Sequence, residues 1–254
     1  MPRRRAGERL RLARLETVQR SLELLKALAE FPEGATVRQL VDTVGLNRTT
    51  VLRILVTFQD HGFVTWEADS GRYRLGTGVL ELAARFLAHH DLGRLARPYL
   101  EEIRDLTGET ASLYVRDGDH RICLYRVESL QPVRIAVAVG QRLPLHLGAA
   151  GKVLLASLPD ERAMALLQRT GVTDAVRRRL WDELPDIRRS GVAKSFGERQ
   201  PDIASLAVAV RRVAGDVVGA VAVSGPRSRW TEEQMNQRLP AVRQVVERFS
   251  RHVP

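Results

Sequence analysis

The order of amphipathic segments in the first third of the chain constrains the fold more than any other feature. Apolar residues recur at helical spacing over 15–29 and predict a helix with one buried face. The segment Phe31-Pro32-Glu33-Gly34 then ends this helix. The predicted buried face consists of Leu15, Val18, Leu22, Leu25 and Ala29, widened by Leu24 and Leu28.

Two further helices follow, separated by a tight turn. Thr36 is a favourable N-cap for a helix over 37–44, and Asn47 is one for a helix over 48–61. Between these helices, Gly45 can adopt the positive φ that a tight turn requires. The pattern therefore predicts two helices joined by a short, sharp connection.

Residues 63–76 have the pattern of a β-hairpin. Short β-prone runs at 63–66 and 72–75 flank an Asp-Ser-Gly turn. Helix, helix, tight turn, helix and hairpin, in this order, predict a winged helix-turn-helix domain over 15–76.

A winged helix-turn-helix favours DNA binding, because its third helix fits a major groove. Arg72 and Arg74 alternate along the second wing strand, so they share a face that suits phosphates or a minor groove. A winged helix that binds another protein is the alternative. The predicted DNA-binding residues are Thr36, Asn47, Arg48, Thr49, Thr50, Arg53, Arg72 and Arg74.

The charge of the chain is concentrated at its beginning. Residues 1–20 hold seven basic and two acidic residues, which is half of the net charge of +10. This distribution predicts a basic N-terminal arm over 1–14 that contacts DNA phosphates. A solvated tail without a partner is the alternative.

A Gly-Thr-Gly segment at 76–78 begins the next part of the chain, and the pattern predicts an amphipathic linker helix over 77–90. Its apolar stripe would form a dimer surface or pack on its own chain, and the pattern leaves both open. The stripe consists of Val79, Leu82, Ala83, Phe86 and Leu87.

Residues 91–254 combine helix and strand patterns and predict an α+β domain with an antiparallel sheet. A helix ends at Gly108, a loop covers 140–151, and the last helix begins after Thr231. Other helices are predicted over 150–158 and within 160–191. Strands are predicted at 111–116, 122–127, 133–139, 205–211 and 217–224.

Composition excludes several classes of protein. The single cysteine, Cys123, can form neither an internal disulfide nor a thiolate zinc site, so we expect a core residue, with a redox sensor as the alternative. Apolar runs are too short for a membrane span, which predicts a cytoplasmic protein without a membrane partner. Phosphate-loop, dinucleotide and nucleophile-elbow motifs are incomplete, so no catalytic residue, metal or cofactor is predicted.

Four segments together resemble the IclR family of bacterial transcriptional regulators, and the resemblance extends from about residue 15 to residue 252. The first two, 47–55 and 73–76, are similar to the recognition helix and wing of the family. The others are Leu145-His146-Leu147-Gly148-Ala149-Ala150-Gly151-Lys152 and the strand over 217–226.

This resemblance implies a regulator rather than an enzyme. It implies a dimer, or a dimer of dimers, that binds a palindromic double-stranded operator, and a GAF-like C-terminal domain over 91–254 that binds a small effector, often a carboxylate. The backbone N–H groups of Ala149 and Ala150 would meet the anionic end of the effector, as a helix N-terminus can. The implied effector-binding residues are His146, Ala149, Ala150, Ser195, Ser205, Ala222 and Ser224.

The chain departs from the family at two of these positions. Family members often have an acidic residue near 195 and a cysteine near 205, where this chain has Ser195 and Ser205. We expect such a pocket to accept an acidic or neutral polar ligand better than a cationic one. A ligand-binding or enzymatic module whose winged helix contacts protein is the alternative function.

Overall fold

The computed structural model describes residues 15–89, 92–135 and 137–253, without the side chains of 87–89. The chain divides into two compact units after residue 89. The predicted basic arm over 1–14 and the side chain of Leu87 lie outside the described residues.

The N-terminal unit has the predicted winged helix-turn-helix fold. Its two strands pair antiparallel, with Trp66 opposite Tyr73. The elements are α1 (Glu16–Ala29), α2 (Val37–Val44), α3 (Arg48–Asp60), β1 (Val64–Glu67), β2 (Arg72–Leu75) and α4 (Thr77–His89).

Local hydrogen bonds explain why α2 and α3 begin at the predicted residues. Thr36 Oγ1 accepts a hydrogen bond from the Gln39 backbone, and the Gln39 side chain accepts one from the Thr36 backbone, which is a capping box. Gly45 ends α2 with φ of +66°. Asn47 Oδ1 accepts a 2.8 Å hydrogen bond from the Thr50 N–H and caps α3.

The predicted buried face of α1 is wrong at four of its residues. Leu24 and Leu28 are fully buried, whereas Leu15, Val18 and Leu22 are 74%, 52% and 50% exposed and Ala29 is also exposed. The helix carries two overlapping apolar stripes, and its packing against α2, α3 and β2 buries the stripe that contains Leu24 and Leu28. Helical periodicity alone does not decide between two such stripes.

A close backbone contact joins the end of α3 to the start of α4. A Cβ atom on Gly76 would lie 2.2 Å from the Gly62 carbonyl oxygen, so this position requires glycine. The Gly78 N–H donates to the same oxygen at 2.9 Å. Along α4, Leu80 and Leu82 are 68% and 58% exposed, so the described residues leave these apolar side chains largely uncovered.

The C-terminal unit is built on an antiparallel sheet, as predicted, and the sheet has six strands. The helices are α5 (Leu92–Thr107), α6 (Ala149–Ala156), α7 (Asp160–Arg169), α8 (Asp174–Ser190) and α9 (Glu232–Ser250). The strands are β3 (Thr110–Asp117), β4 (His120–Val127), β5 (Arg142–Pro144), β6 (Val192–Phe196), β7 (Ile203–Arg211) and β8 (Val217–Pro226). Their order in the sheet is β5-β4-β3-β8-β7-β6.

Each face of this sheet has its own hydrophobic core. One face packs against α5 and α9 around large side chains that include Trp230 and Phe249. The opposite face packs against α6 and α8 and presents small residues, among them Ala207 and Ala222, toward α6. Small side chains let the backbone of α6 lie close to the sheet, which places the start of α6 over β7 and β8.

The strand predicted at 133–139 is wrong for the described residues of that range, which form a loop. Side chains from distant elements hold its carbonyl groups: Thr110 donates to Ile135, and Arg126 donates to Val137. These carbonyl groups bond to side chains instead of to a neighbouring strand. The strand-like sequence pattern of 133–139 therefore gave a wrong prediction. The edge strands of the sheet are β5, which lies inside the predicted 140–151 loop, and β6, and neither was predicted.

Candidate functional site

The exposed face of α3 carries two arginines that suit nucleic acid. Arg48, Thr49 and Arg53 are exposed, and Thr50 is half-buried. Among the described residues, the guanidinium groups of Arg48 and Arg53 form no hydrogen bond or ion pair. Arg38, on α2, is likewise exposed and was not singled out from the sequence. Unpaired guanidinium groups on this face are available for phosphate or for a guanine edge.

Thr36 and Asn47 serve as helix caps in this structure. The Thr36 hydroxyl both accepts from the Gln39 backbone and donates to the Gln39 side chain. Asn47 Oδ1 is engaged at the start of α3, while its amide N–H groups remain available. The two residues therefore position the helices, and a direct contact with DNA stays a prediction.

The two wing arginines have partners within their own domain. Arg72 Nη1 donates to the Gly34 carbonyl at 2.8 Å and fastens β2 to the α1–α2 connection. Arg74 pairs with Glu67 at 2.9 Å and with Glu33 at 3.6 Å, and remains 40% exposed. Their contact with DNA also stays a prediction.

In the C-terminal unit, six of the seven effector-binding residues implied by the resemblance line one cavity. The cavity lies between the sheet and the first turn of α6, and His146 is not part of its lining. The volume in which the centre of a water molecule can be placed is about 30 Å³, so the cavity has room for about two waters. The six residues are Ala149, Ala150, Ser195, Ser205, Ala222 and Ser224.

The three serines lie in one row across the sheet. Ser195 pairs with Ser205 between β6 and β7, and Ser205 pairs with Ser224 between β7 and β8. Since directly paired residues point to the same face, three hydroxyl groups line the cavity side by side. Ala222, two residues along β8, leaves space beside them.

The backbone at the start of α6 directs N–H groups toward this row. Ala149 N–H donates to Ser205 Oγ at 3.3 Å, and Gly148 N–H donates to a carboxylate oxygen of Glu198 at 2.9 Å. A Cβ on Gly151 would lie 2.4 Å from the Leu145 carbonyl oxygen, so glycine is required for this close approach.

Sequence reasoning missed the charged residues of the cavity. Arg121 is 4% exposed and donates through Nη1 to the Pro144 and Leu147 carbonyl groups at 2.5 and 2.6 Å. Burial lowers the pKa of Arg121 to about 10, and burial raises the pKa of Tyr114, beside it in the cavity, to about 12. One sequence signal could have indicated that Arg121 is buried. Side chains alternate between the two faces of a strand, so Arg121 shares the inward face of β4 with buried Cys123.

Two residues considered for chemistry lie outside the cavity lining. His146 is half-buried, and burial, followed by the nearby Arg121 charge, lowers its imidazole pKa. Cys123 is fully buried, and burial raises the pKa of its thiol to about 11, which keeps it protonated and unreactive. This environment fits the predicted core residue better than a redox sensor.

No described helix has the length and apolar character needed to span a membrane.

Two family models match the chain: the IclR helix-turn-helix domain over 17–68 and the bacterial transcriptional regulator IclR C-terminal domain over 84–251.

Individual relatives agree with these matches. The DNA-binding transcriptional repressor YiaJ of Escherichia coli is 30% identical over 96% of this chain and 90% of its own. An IclR transcriptional regulator from Alicyclobacillus acidocaldarius has a similar structure, with a TM-score of 0.78 and 27% identity over 94% of this chain and 98% of that one.

A third protein extends the structural likeness. An IclR homolog from Microbacterium hydrocarbonoxydans, solved in complex with 4-hydroxybenzoate, has a TM-score of 0.78 and 22% identity over 93% of this chain and all of that one. The winged helix with its exposed α3, the cavity beneath α6 and the two family matches lead to one conclusion: this chain belongs to the IclR family of DNA-binding transcriptional regulators.

Proposed function

We propose that this regulator senses a small organic acid and binds a palindromic operator as a dimer or a dimer of dimers in the cytoplasm. One observation supports the ligand class most directly. The start of α6, two arginines and a row of serine hydroxyls all face the same cavity. This set of donors is suited to a carboxylate, since a helix N-terminus and guanidinium groups both favour negative charge.

The charges of the cavity favour an anion over a cation. Arg121 and Arg199 both line it, and Glu198 is the acidic residue of the lining. The 4-hydroxybenzoate complex of the Microbacterium hydrocarbonoxydans homolog gives an example of an organic acid bound by a protein of this fold. A ligand of that size would require this cavity to widen beyond its present 30 Å³.

On the DNA side, Arg48 and Arg53 would contact the major groove from α3. Dimerisation would bring two such helices to the two halves of a palindrome. The exposed apolar residues of α4 provide a surface for that dimer. Effector binding would then favour one dimer geometry over another and change the affinity for the operator.

Calorimetric titration of the full-length protein tests the ligand class. Acetate, benzoate and 4-hydroxybenzoate would each be compared with the corresponding amide and amine. We expect at least one carboxylate to bind and its amine counterpart to give no heat of binding. Binding confined to amines would contradict the proposed anion site.

A further inference from the structure

The carboxylate of Glu198 lies at the start of α6, one residue before the N–H groups of Ala149 and Ala150 that the resemblance assigns to the anionic end of the effector. Glu198 Oε2 accepts a 2.9 Å hydrogen bond from the backbone N–H of Gly148, the N-cap of α6. The Glu198 side chain lines the cavity and is only 14% exposed. Because a helix N-terminus favours negative charge, the protein itself provides an anion at this position.

A buried lysine holds the other carboxylate oxygen of Glu198. Glu198 Oε1 lies 2.7 Å from the ammonium group of Lys152, which is 4% exposed. The same ammonium group lies 2.9 Å from Glu183 Oε2 on α8. Lys152 therefore keeps a carboxylate partner when Glu198 moves away. Departure of Glu198 does not leave a buried charge unpaired, which would otherwise be the main cost of moving it.

Donors at the cavity remain in place when Glu198 leaves. Arg121 is 96% buried, and its Nε has no hydrogen-bond partner among the described residues. Arg199 lines the cavity next to Glu198. Ser205 Oγ accepts from Ala149 N–H, and its own proton can be donated to an incoming oxygen. An incoming carboxylate thus meets donors that line the same cavity as Glu198.

The connection that carries Glu198 is short and tied at its base. It covers 197–202, between β6 and β7, and the Gly197 N–H donates to the Ile203 carbonyl at 2.8 Å. Gly197 has φ of +71°, which favours glycine at the turn. Glu198 lies outside the paired residues of β6 and β7, so its displacement is compatible with intact pairing of these two strands.

We infer that Glu198 is a built-in competitor of the effector: it fills the anion site in the ligand-free protein, and a carboxylate ligand binds by displacing it. The inference rests on the proposed function and adds a specificity rule to it. One carboxylate replaces another at the Gly148 N–H, so a ligand must be ionised to compete. Neutral polar ligands are then excluded, which narrows the expectation from the sequence.

Substitution of Glu198 changes the ligand affinity in opposite directions depending on whether Glu198 competes with the ligand or binds it. If Glu198 instead bound a ligand ammonium group, neutralising its charge would weaken binding. If Glu198 competes with the ligand, E198Q and E198A strengthen carboxylate binding, because the glutamine amide is a weaker acceptor and alanine leaves the site open. D202N is the matched control, since Asp202 is an exposed acidic residue of the same connection and does not line the cavity.

The experiment titrates acetate and benzoate into the full-length wild-type protein and the three variants. Calorimetry gives the affinities, and the ¹H–¹⁵N resonance of the Gly148 amide reports on the anion site. We expect E198Q and E198A to bind carboxylate at least fivefold more tightly than the wild type, and D202N to stay within twofold of it. The Gly148 resonance should shift on Glu198 substitution and shift again with acetate.

Equal or weaker carboxylate binding by both Glu198 variants, with folding confirmed by an unchanged melting transition, would overturn the inference. If one Glu198 variant does not melt cooperatively, it is set aside. The carboxylate affinity and the Gly148 resonance of the other Glu198 variant then test the inference. If the wild type binds a carboxylate without any effect of Glu198 substitution, only the inference fails. If neither the wild type nor the Glu198 variants bind any carboxylate, the proposed effector class fails as well.

Discussion

At the scale of single residues, Arg53 is the side chain from which we expect the largest contribution to sequence-specific DNA binding. It is exposed on α3, and its guanidinium group forms no hydrogen bond or ion pair with the described residues. Arg53→Ala should weaken operator binding by about 1–3 kcal/mol if the guanidinium contacts a base. Fluorescence anisotropy with operator DNA at fixed salt measures this. Arg189→Ala removes the same charge from the C-terminal unit and should leave the affinity nearly unchanged; equal losses in both variants would indicate a nonspecific charge effect.

His146 should make the protein less stable in acid. Burial holds its pKa below the ordinary value of 6.5. As the pH falls through that ordinary value, the unfolded chain therefore binds a proton that the native state does not. The free energy of unfolding should decrease from pH 7.5 to pH 5.5, and less steeply in His146→Gln. Urea unfolding at the two pH values measures this, with His61→Gln as an exposed control. An identical slope in His146→Gln and wild type would contradict the assignment.

The resemblance identified the cavity residues whose positions are fixed by strand register, such as Ser205 and Ser224. It did not identify Arg121 or Glu198. Their burial depends on groups far away in the sequence: the Pro144 and Leu147 carbonyls for Arg121, and Lys152 for Glu198. A single sequence does not display such pairings, because charged residues are usually exposed.

At the scale of elements, a buried ion pair anchors the start of α9 to β3. Glu109 is 3% exposed and accepts from Arg229 at 2.5 and 3.0 Å, and Arg229 also donates to the Val133 carbonyl at 2.6 Å. Arg229→Ala leaves the Glu109 carboxylate buried without its partner. We expect a loss of about 3 kcal/mol in unfolding free energy, near the lower end for a broken buried pair because Arg229 is partly exposed. Urea unfolding measures it.

Arg227→Ala is the control for that substitution, since the side chain of exposed Arg227 donates a long hydrogen bond, 3.3 Å, to the Pro201 carbonyl. It should change stability by less than about 0.5 kcal/mol. A similar small change in Arg229→Ala would mean that the Glu109 pair contributes little.

Elements with local signals were predictable from the sequence. Thr36 and Asn47 cap their helices through hydrogen bonds to residues three positions ahead, so sequence spacing is sufficient to find them. The 133–139 loop was not predictable, because side chains distant in the sequence hold it. The buried stripe of α1 was not predictable either, because packing against other elements decides which stripe is buried.

At the scale of the whole molecule, dimerisation should depend on the apolar surface of α4. Leu82 is 58% exposed on this helix. Leu82→Glu would bring a charge into the proposed interface and should shift the protein toward the monomer in sedimentation velocity, whereas exposed Glu81→Ala on the same helix should not. A Leu82→Glu protein with the wild-type sedimentation coefficient would place the interface elsewhere.

The central claim is that occupancy of the cavity in the C-terminal unit changes the affinity of the N-terminal unit for DNA. The most direct measurement is the operator Kd of the full-length protein, at one salt concentration, with and without a saturating carboxylate that calorimetry has shown to bind. Coupling between two sites of a regulator is commonly about 5- to 150-fold. We expect the operator Kd to change at least fivefold when the cavity is filled. An unchanged Kd with the carboxylate bound would contradict the claim.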